Sequence, residues 1–160
     1  MVPIRRLVPA ALIACGALAG APARAGDVTA FVTLPSPSGL WTRGYGAALT
    51  STWFHIVGLE AEAARMPLET AEGTMTSFSG SALLAPPLGP FTPYGGLGIG
   101  VFRQSLGAVS DTGFLHSFIL GLKVKLGLLV IRGDYRSLRL GDDVLLPMDK
   151  RYSVGAGISF

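Results

Sequence analysis

From Asp27 onward, apolar residues alternate with polar or small ones at a period of two, and no stretch sustains the period of an amphipathic helix. Residues 151–160 show it most clearly. Tyr152, Val154, Ala156, Ile158 and Phe160 share one face; Arg151, Ser153, Gly155, Gly157 and Ser159 share the other. Further back, residues 130–140 set Ile131, Gly133 and Tyr135 against Arg132, Asp134 and Arg136. Residues 114–126 set Phe118, Leu120, Leu122, Val124 and Leu126 against Ser117, Ile119, Gly121, Lys123 and Lys125. Residues 94–104 place Leu97, Ile99 and Val101 opposite Gly96, Gly98 and Gly100, and residues 74–84 place Phe78, Gly80, Ala82 and Leu84 opposite Ser77, Ser79 and Ser81. Residues 55–65 set Val57, Leu59, Ala61 and Ala63 against Gly58, Glu60 and Glu62. Residues 43–50, with Tyr45, Ala47 and Leu49 outward, and residues 27–33 complete a set of eight predicted strands.

Proline punctuates the set. After residue 26 it occurs only at 35, 37, 67, 86, 87, 90, 93 and 147, and a proline cannot donate to a strand ladder. The connections at 52–54, 86–91 and 126–128 read as short turns. Those at 36–41, 67–73, 107–113 and 141–149 read as more polar loops. Strands apolar on one face and polar or small on the other fit an all-β, eight-stranded antiparallel up-and-down barrel with lipid outside. No run of about 18 apolar residues follows Gly26, so a transmembrane helix is excluded there.

The first 25 residues read as a leader rather than as part of the barrel, which is expected over 26–160. Arg5 and Arg6 precede an apolar run, and Ala23-Arg24-Ala25 has the small-x-small form that signal peptidase cleaves, here before Gly26. A competing reading is a lipobox at Leu12-Ile13-Ala14-Cys15. The apolar stretch before Cys15 is short, and the downstream cleavage pattern fits better. Cleavage also changes the charge argument. Of 13 basic residues, Arg5, Arg6 and Arg24 leave, so 10 remain against 10 acids and nothing points to nucleic acid. Cys15 is the one cysteine, so the exported chain carries no disulfide framework.

With those strands in view, YSVGAGISF at 152–160, TPYGGLGIGVF at 92–102 and GLKVKLGLLVIRGDYRSLRL at 121–140 resemble the outer-membrane-protein β-barrel domain family. That family includes the OmpA transmembrane domain, OmpX and opacity-type small barrels. The resemblance implies a cell-envelope protein of the bacterial outer membrane with both barrel termini periplasmic. It also implies that Tyr152, Val154, Ala156, Ile158 and Phe160 serve as the signal read by the barrel-assembly machinery. Outer-membrane lipid and envelope or host-surface components are the partners it suggests, although the loops look shorter than in adhesive members.

The residues that could carry chemistry gather on one face: Glu60, Glu62, Lys123, Lys125, Arg132, Asp134 and Arg136. The interior of an eight-stranded barrel is just wide enough for side chains to fill it. Glu60 and Glu62 are therefore expected to reach Arg132 and Arg136 across the lumen, with Lys123 beside Asp134, as a lumenal ion-pair network that plugs the barrel. The alternative is a narrow, porin-like path for ions. A soluble periplasmic barrel holding an apolar ligand is a second alternative, and it requires the apolar face to point inward.

Catalysis is not expected. Lipid A deacylases need a His and a Ser two apart on one strand, whereas His116 and Ser117 are adjacent and point to opposite faces. His55 has no partner at ligand spacing, so no metal is expected. The glycines at 95–100 precede neither a helix pattern nor a phosphate-binding Lys, so no nucleotide or other cofactor is expected. Trp41, Trp53, Phe54, Tyr94 and Tyr135 are expected in the aromatic girdles at the two bilayer interfaces.

Overall fold

The computed structural model describes residues 26–34, 42–54, 56–68, 73–141 and 149–160. The leader with Cys15, Trp41, His55 and most of three of the polar loops lie outside the described residues. The elements are β1 (Gly26–Thr33), β2 (Gly44–Trp53), β3 (Val57–Pro67), β4 (Gly73–Leu84), β5 (Phe91–Leu106), β6 (Val109–Leu126), β7 (Leu129–Leu140) and β8 (Lys150–Ser159). Each strand pairs antiparallel with the next, and β8 returns to β1, so the sheet is a closed eight-stranded barrel. Closure runs from Asp27↔Ser159 to Thr33↔Ser153. It is completed by the main chains of Gly26 and Phe160, whose N–H groups donate to each other's carbonyls at 2.8 and 2.9 Å. The rim holding this pair is the proximal rim, and the opposite one is the distal rim.

One connection is tighter than the sequence suggests, and another is as short as expected. Residues 107–113 are not a loop: β5 runs to Leu106 and β6 starts at Val109, leaving Gly107 and Ala108 as the whole turn. Gly127 and Leu128 form the equivalent turn between β6 and β7. Gly107 and Gly127 take φ of 56° and 66°, the positive value that the first position of a two-residue II′ turn requires. Ser110, Asp111 and Thr112 read as loop residues because they are polar, yet strand pairing simply continues past the apolar band. Trp53 likewise ends β2 rather than sitting in the turn.

The barrel wall is apolar outside. Leu97, Ile99 and Phe114 are 68%, 69% and 73% exposed, and Tyr152, Val154, Ala156, Ile158 and Phe160 of the β8 segment face outward with them. The interior is built in layers. Near the proximal end Leu83, Ala85, Tyr94 and Ile119 pack together. Near the distal end Met66, Met75, Phe102, Leu115 and Leu138 pack with Leu68 and Leu140. Phe31, Ala48 and Ala64 form a third apolar cluster against the wall. Inward-facing glycines make room for these side chains. Phe31 lies between Gly46 and Gly155, and a Cβ on Gly46 would strike its ring. Gly121 stands in the same relation to Tyr94, and Gly113 to Phe102. Aromatic rings laid over glycines on neighbouring strands fill the narrow lumen while letting the sheet curl tightly.

Candidate functional site

The middle of the barrel holds the one dense cluster of charge among the described residues. Strand parity puts it there. Asp27 of β1, Glu60 and Glu62 of β3, Lys123 of β6, Arg132, Asp134 and Arg136 of β7 and Arg151 of β8 all fall on the inward face, each 7% exposed or less. Four carboxylates meet four cations, so the lumen is neutral.

The pairs form one connected network. At the proximal end Lys123 Nζ donates to both oxygens of Asp27, at 3.0 and 2.9 Å, and to Thr50 Oγ1 at 3.0 Å. Thr50 Oγ1 donates in turn to Glu60 Oε2 at 3.2 Å. Glu60 is the hub: Arg132 Nη1 reaches Oε2 at 2.7 Å and Arg136 Nη2 reaches Oε1 at 2.5 Å. Asp134 lies between the same two arginines, with Arg132 Nη2 at 2.8 Å and Arg136 Nε at 3.3 Å. Arg136 Nη2 also meets Glu62 Oε2 at 2.6 Å, and Glu62 is shared with Arg151. Ser153 Oγ donates to Asp134 Oδ1 at 2.9 Å. A buried ion is costly unless other hydrogen bonds satisfy it; Glu60 and Asp134 each accept from three or more donors, whereas Asp27 accepts from Lys123 alone and Glu62 from Arg151.

Several placements differ from the sequence reading. Glu60 and Glu62 do meet Arg132 and Arg136, but Lys123 pairs with Asp27 rather than with Asp134. Lys125 stands two residues closer to the rim than Lys123, stays half-buried at the proximal mouth and enters no ion pair among the described residues. Asp27 and Arg151 belong to the network without having been singled out. Arg151 was legible, since it shares a face with Ser153 and Gly155; Asp27 has the same parity as Thr29 and Thr33.

Tyr94 is a correction. It is no girdle residue but lies inside at 3% exposure, donating to Asp134 Oδ2 at 3.2 Å. Lys123 Nζ and the Arg132 guanidinium lie 5.4 and 5.5 Å from its ring centre, within cation–π range. Its parity with Gly96 and Gly98 requires this, and Gly121 opens the space. Of the other aromatic residues, Trp53 is half-buried and Phe54 is fully outside beside it at the proximal rim. Tyr135 and Tyr152 pack together on the outer wall, ring centres 5.2 Å apart. Tyr94→Phe should cost about 1 kcal/mol, because Asp134 keeps its arginine partners. Urea unfolding of the refolded variant in detergent measures this.

His116 is exposed on the outer face while Ser117 is buried inside, so the two make no nucleophile–base pair. The arrangement gathers balanced charge inside the barrel.

No protein-family model and no curated protein sequence matches the chain. Solved structures do. The chain is similar to the N-terminal β-barrel domain of Pseudomonas aeruginosa OprF, at 14% identity and a TM-score of 0.63, covering 86% of this chain and 98% of that one. It is similar to Neisserial surface protein A at 13% identity and a TM-score of 0.60, covering 84% and 93%. OprG from Pseudomonas aeruginosa matches at 15% identity and a TM-score of 0.52, covering 86% and 96%. Identities this low speak to fold, and the fold is that of the small eight-stranded outer-membrane barrels.

Proposed function

We propose that this chain, folded as the small outer-membrane barrels are, is an integral protein of a bacterial outer membrane with a structural or surface-interaction role and a closed lumen. The observation that carries the reading is inverted polarity. Four carboxylates and four cations are sealed inside, while leucine, isoleucine, valine and phenylalanine side chains cover the outside. The largest apolar patch on a soluble monomer covers about 300–600 Å²; here every strand contributes to an apolar wall, which needs lipid. A soluble barrel binding an apolar ligand needs the reverse arrangement, and its lumen would have to be empty and greasy. Export by the leader, cleavage before Gly26, periplasmic termini and recognition of the β8 segment by the assembly machinery complete the proposal. One structural neighbour is a surface protein by description, and a surface role is extended to this chain on that likeness.

The lumen is read as a plug because three layers lie in series: the proximal apolar cluster, the ion-pair network and the distal apolar cluster. The expressed precursor should appear in the outer-membrane fraction, with the unboiled band running faster than the boiled one. Planar bilayers containing the barrel should stay silent. Arg136→Ala should be silent too, because the distal cluster remains. A steady single-channel current from the wild type would replace the plug with the ion-path reading, and a single band in the soluble periplasmic fraction would remove the membrane reading altogether.

A further inference from the structure

The charge on the outer wall is as one-sided as the lumen is balanced. Arg65 of β3 and Arg103 of β5 both face outward near the distal rim. Thr76 of β4 stands between them, since Arg65 pairs in register with Thr76 and Thr76 with Arg103. Two strand spacings put the arginine backbones about 10 Å apart, with the Thr76 hydroxyl at the midpoint. Tyr45 continues the row beyond Arg65 and is exposed, an aromatic at the level expected of a bilayer interface.

Neither arginine enters an ion pair among the described residues. The strand carboxylates Asp27, Glu60, Glu62 and Asp134 are all turned into the lumen, and Asp111 has the inward parity of its partner Gln104. Among the described residues Arg65 and Arg103, like Arg139 of β7 and Lys150 of β8, are therefore left on the outer wall without a strand carboxylate beside them. Four residues further along each strand from Arg65, Thr76 and Arg103 toward the proximal rim, past the outward row of Ala63, Phe78 and Val101, lies a trough of roughly 470 Å³ bounded by Leu59, Ala61, Ala82, Leu97 and Ile99. Gly80 forms its floor, and a Cβ placed there would meet nothing within 4 Å.

We propose that Arg65, Thr76 and Arg103 bind the phosphate of a phosphomonoester lipid in the surrounding leaflet, with one of its acyl chains lying in the trough over Gly80. This rests on the membrane reading given above. Two guanidinium forks match a group carrying about −1.5 to −2 charges at neutral pH, and a threonine hydroxyl supplies a third donor. A phosphodiester has one charge and matches less well. The narrow apolar trough beneath the charges suits an acyl tail, which a soluble phosphate lacks.

The test uses the barrel without its leader, folded into phosphatidylcholine nanodiscs doped with phosphatidic acid, a phosphomonoester, or with phosphatidylglycerol, a diester. Lipids retained by the released protein are counted by native mass spectrometry. Phosphatidic acid should be retained in preference to phosphatidylglycerol. Arg65→Gln with Arg103→Gln should lower that retention about tenfold, which corresponds to roughly 1.4 kcal/mol. Gly80→Leu, which fills the trough and leaves both arginines, should lower it as well. Equal retention by wild type and the arginine variant overturns the site, and displacement by millimolar inorganic phosphate overturns the lipid as its ligand. The faster unboiled band reports insertion separately. A chain that never inserts overturns the membrane reading and the site together, whereas one that inserts with unselective retention overturns the site alone.

Discussion

Glu60→Gln is expected to destabilise the barrel by about 3–5 kcal/mol, the usual cost of removing one partner from a buried ion pair. The substitution keeps the shape and removes the charge. Arg132 and Arg136 would then share Asp134 and Glu62 with Arg151, leaving four cations against three carboxylates among side chains at most 7% exposed. The sharper test is compensation. Glu60→Gln with Arg132→Gln restores neutrality at three against three, and should be more stable than Glu60→Gln alone although it removes more hydrogen bonds. Unfolding midpoints in urea, followed by the unboiled band, decide the matter. If the double variant is the weaker one, hydrogen-bond geometry rather than charge balance holds the network.

Gly157→Val should abolish closure. Valine favours strands, so on propensity alone the change is mild or favourable. Position 157 lies in the β1–β8 seam opposite Thr29, however, where a Cβ would fall on the Val28 carbonyl oxygen and lie 2.6 Å from the Thr29 Cα. The obstruction is backbone, which cannot turn aside as a side chain does. Ala156→Val, one residue away, points outward and should be tolerated. The expected result is loss of the faster unboiled band for Gly157→Val and its retention for Ala156→Val. Folding of both to the same band would show that the seam has slack which the geometry denies.

The eight strands were legible because a wall between lipid and lumen imposes its period on every strand. The inward charges of β3 and β7 followed from the same parity. The rest of the lumen depends on residues whose identity and parity point to opposite faces, or on distances that parity does not encode. As an aromatic Tyr94 suits a girdle, although its alternation with Gly96 and Gly98 points it inward. Met66, Met75 and Phe102 are apolar at inward positions, and a rule that sends apolar residues to the outer wall has no place for the cluster they form inside. The partner of Lys123 depends on strand tilt and stagger. These bring Asp27 of β1 to it across the barrel, while Asp134 on the neighbouring strand goes to the arginines.

The seam also sets an order in time. Asp27 pairs with Ser159, so the first strand to leave the ribosome finds its second neighbour only when the last has been made. Seven of the eight pairings join consecutive strands and can form as each hairpin is completed, whereas the seam alone must bring together strands roughly 130 residues apart. Until then β1 and the growing last strand each present a bare row of N–H and C=O groups, open to any other strand nearby. The seam is thus the one pairing that waits for the whole barrel, and until it forms the two edges it joins are where a foreign strand could attach.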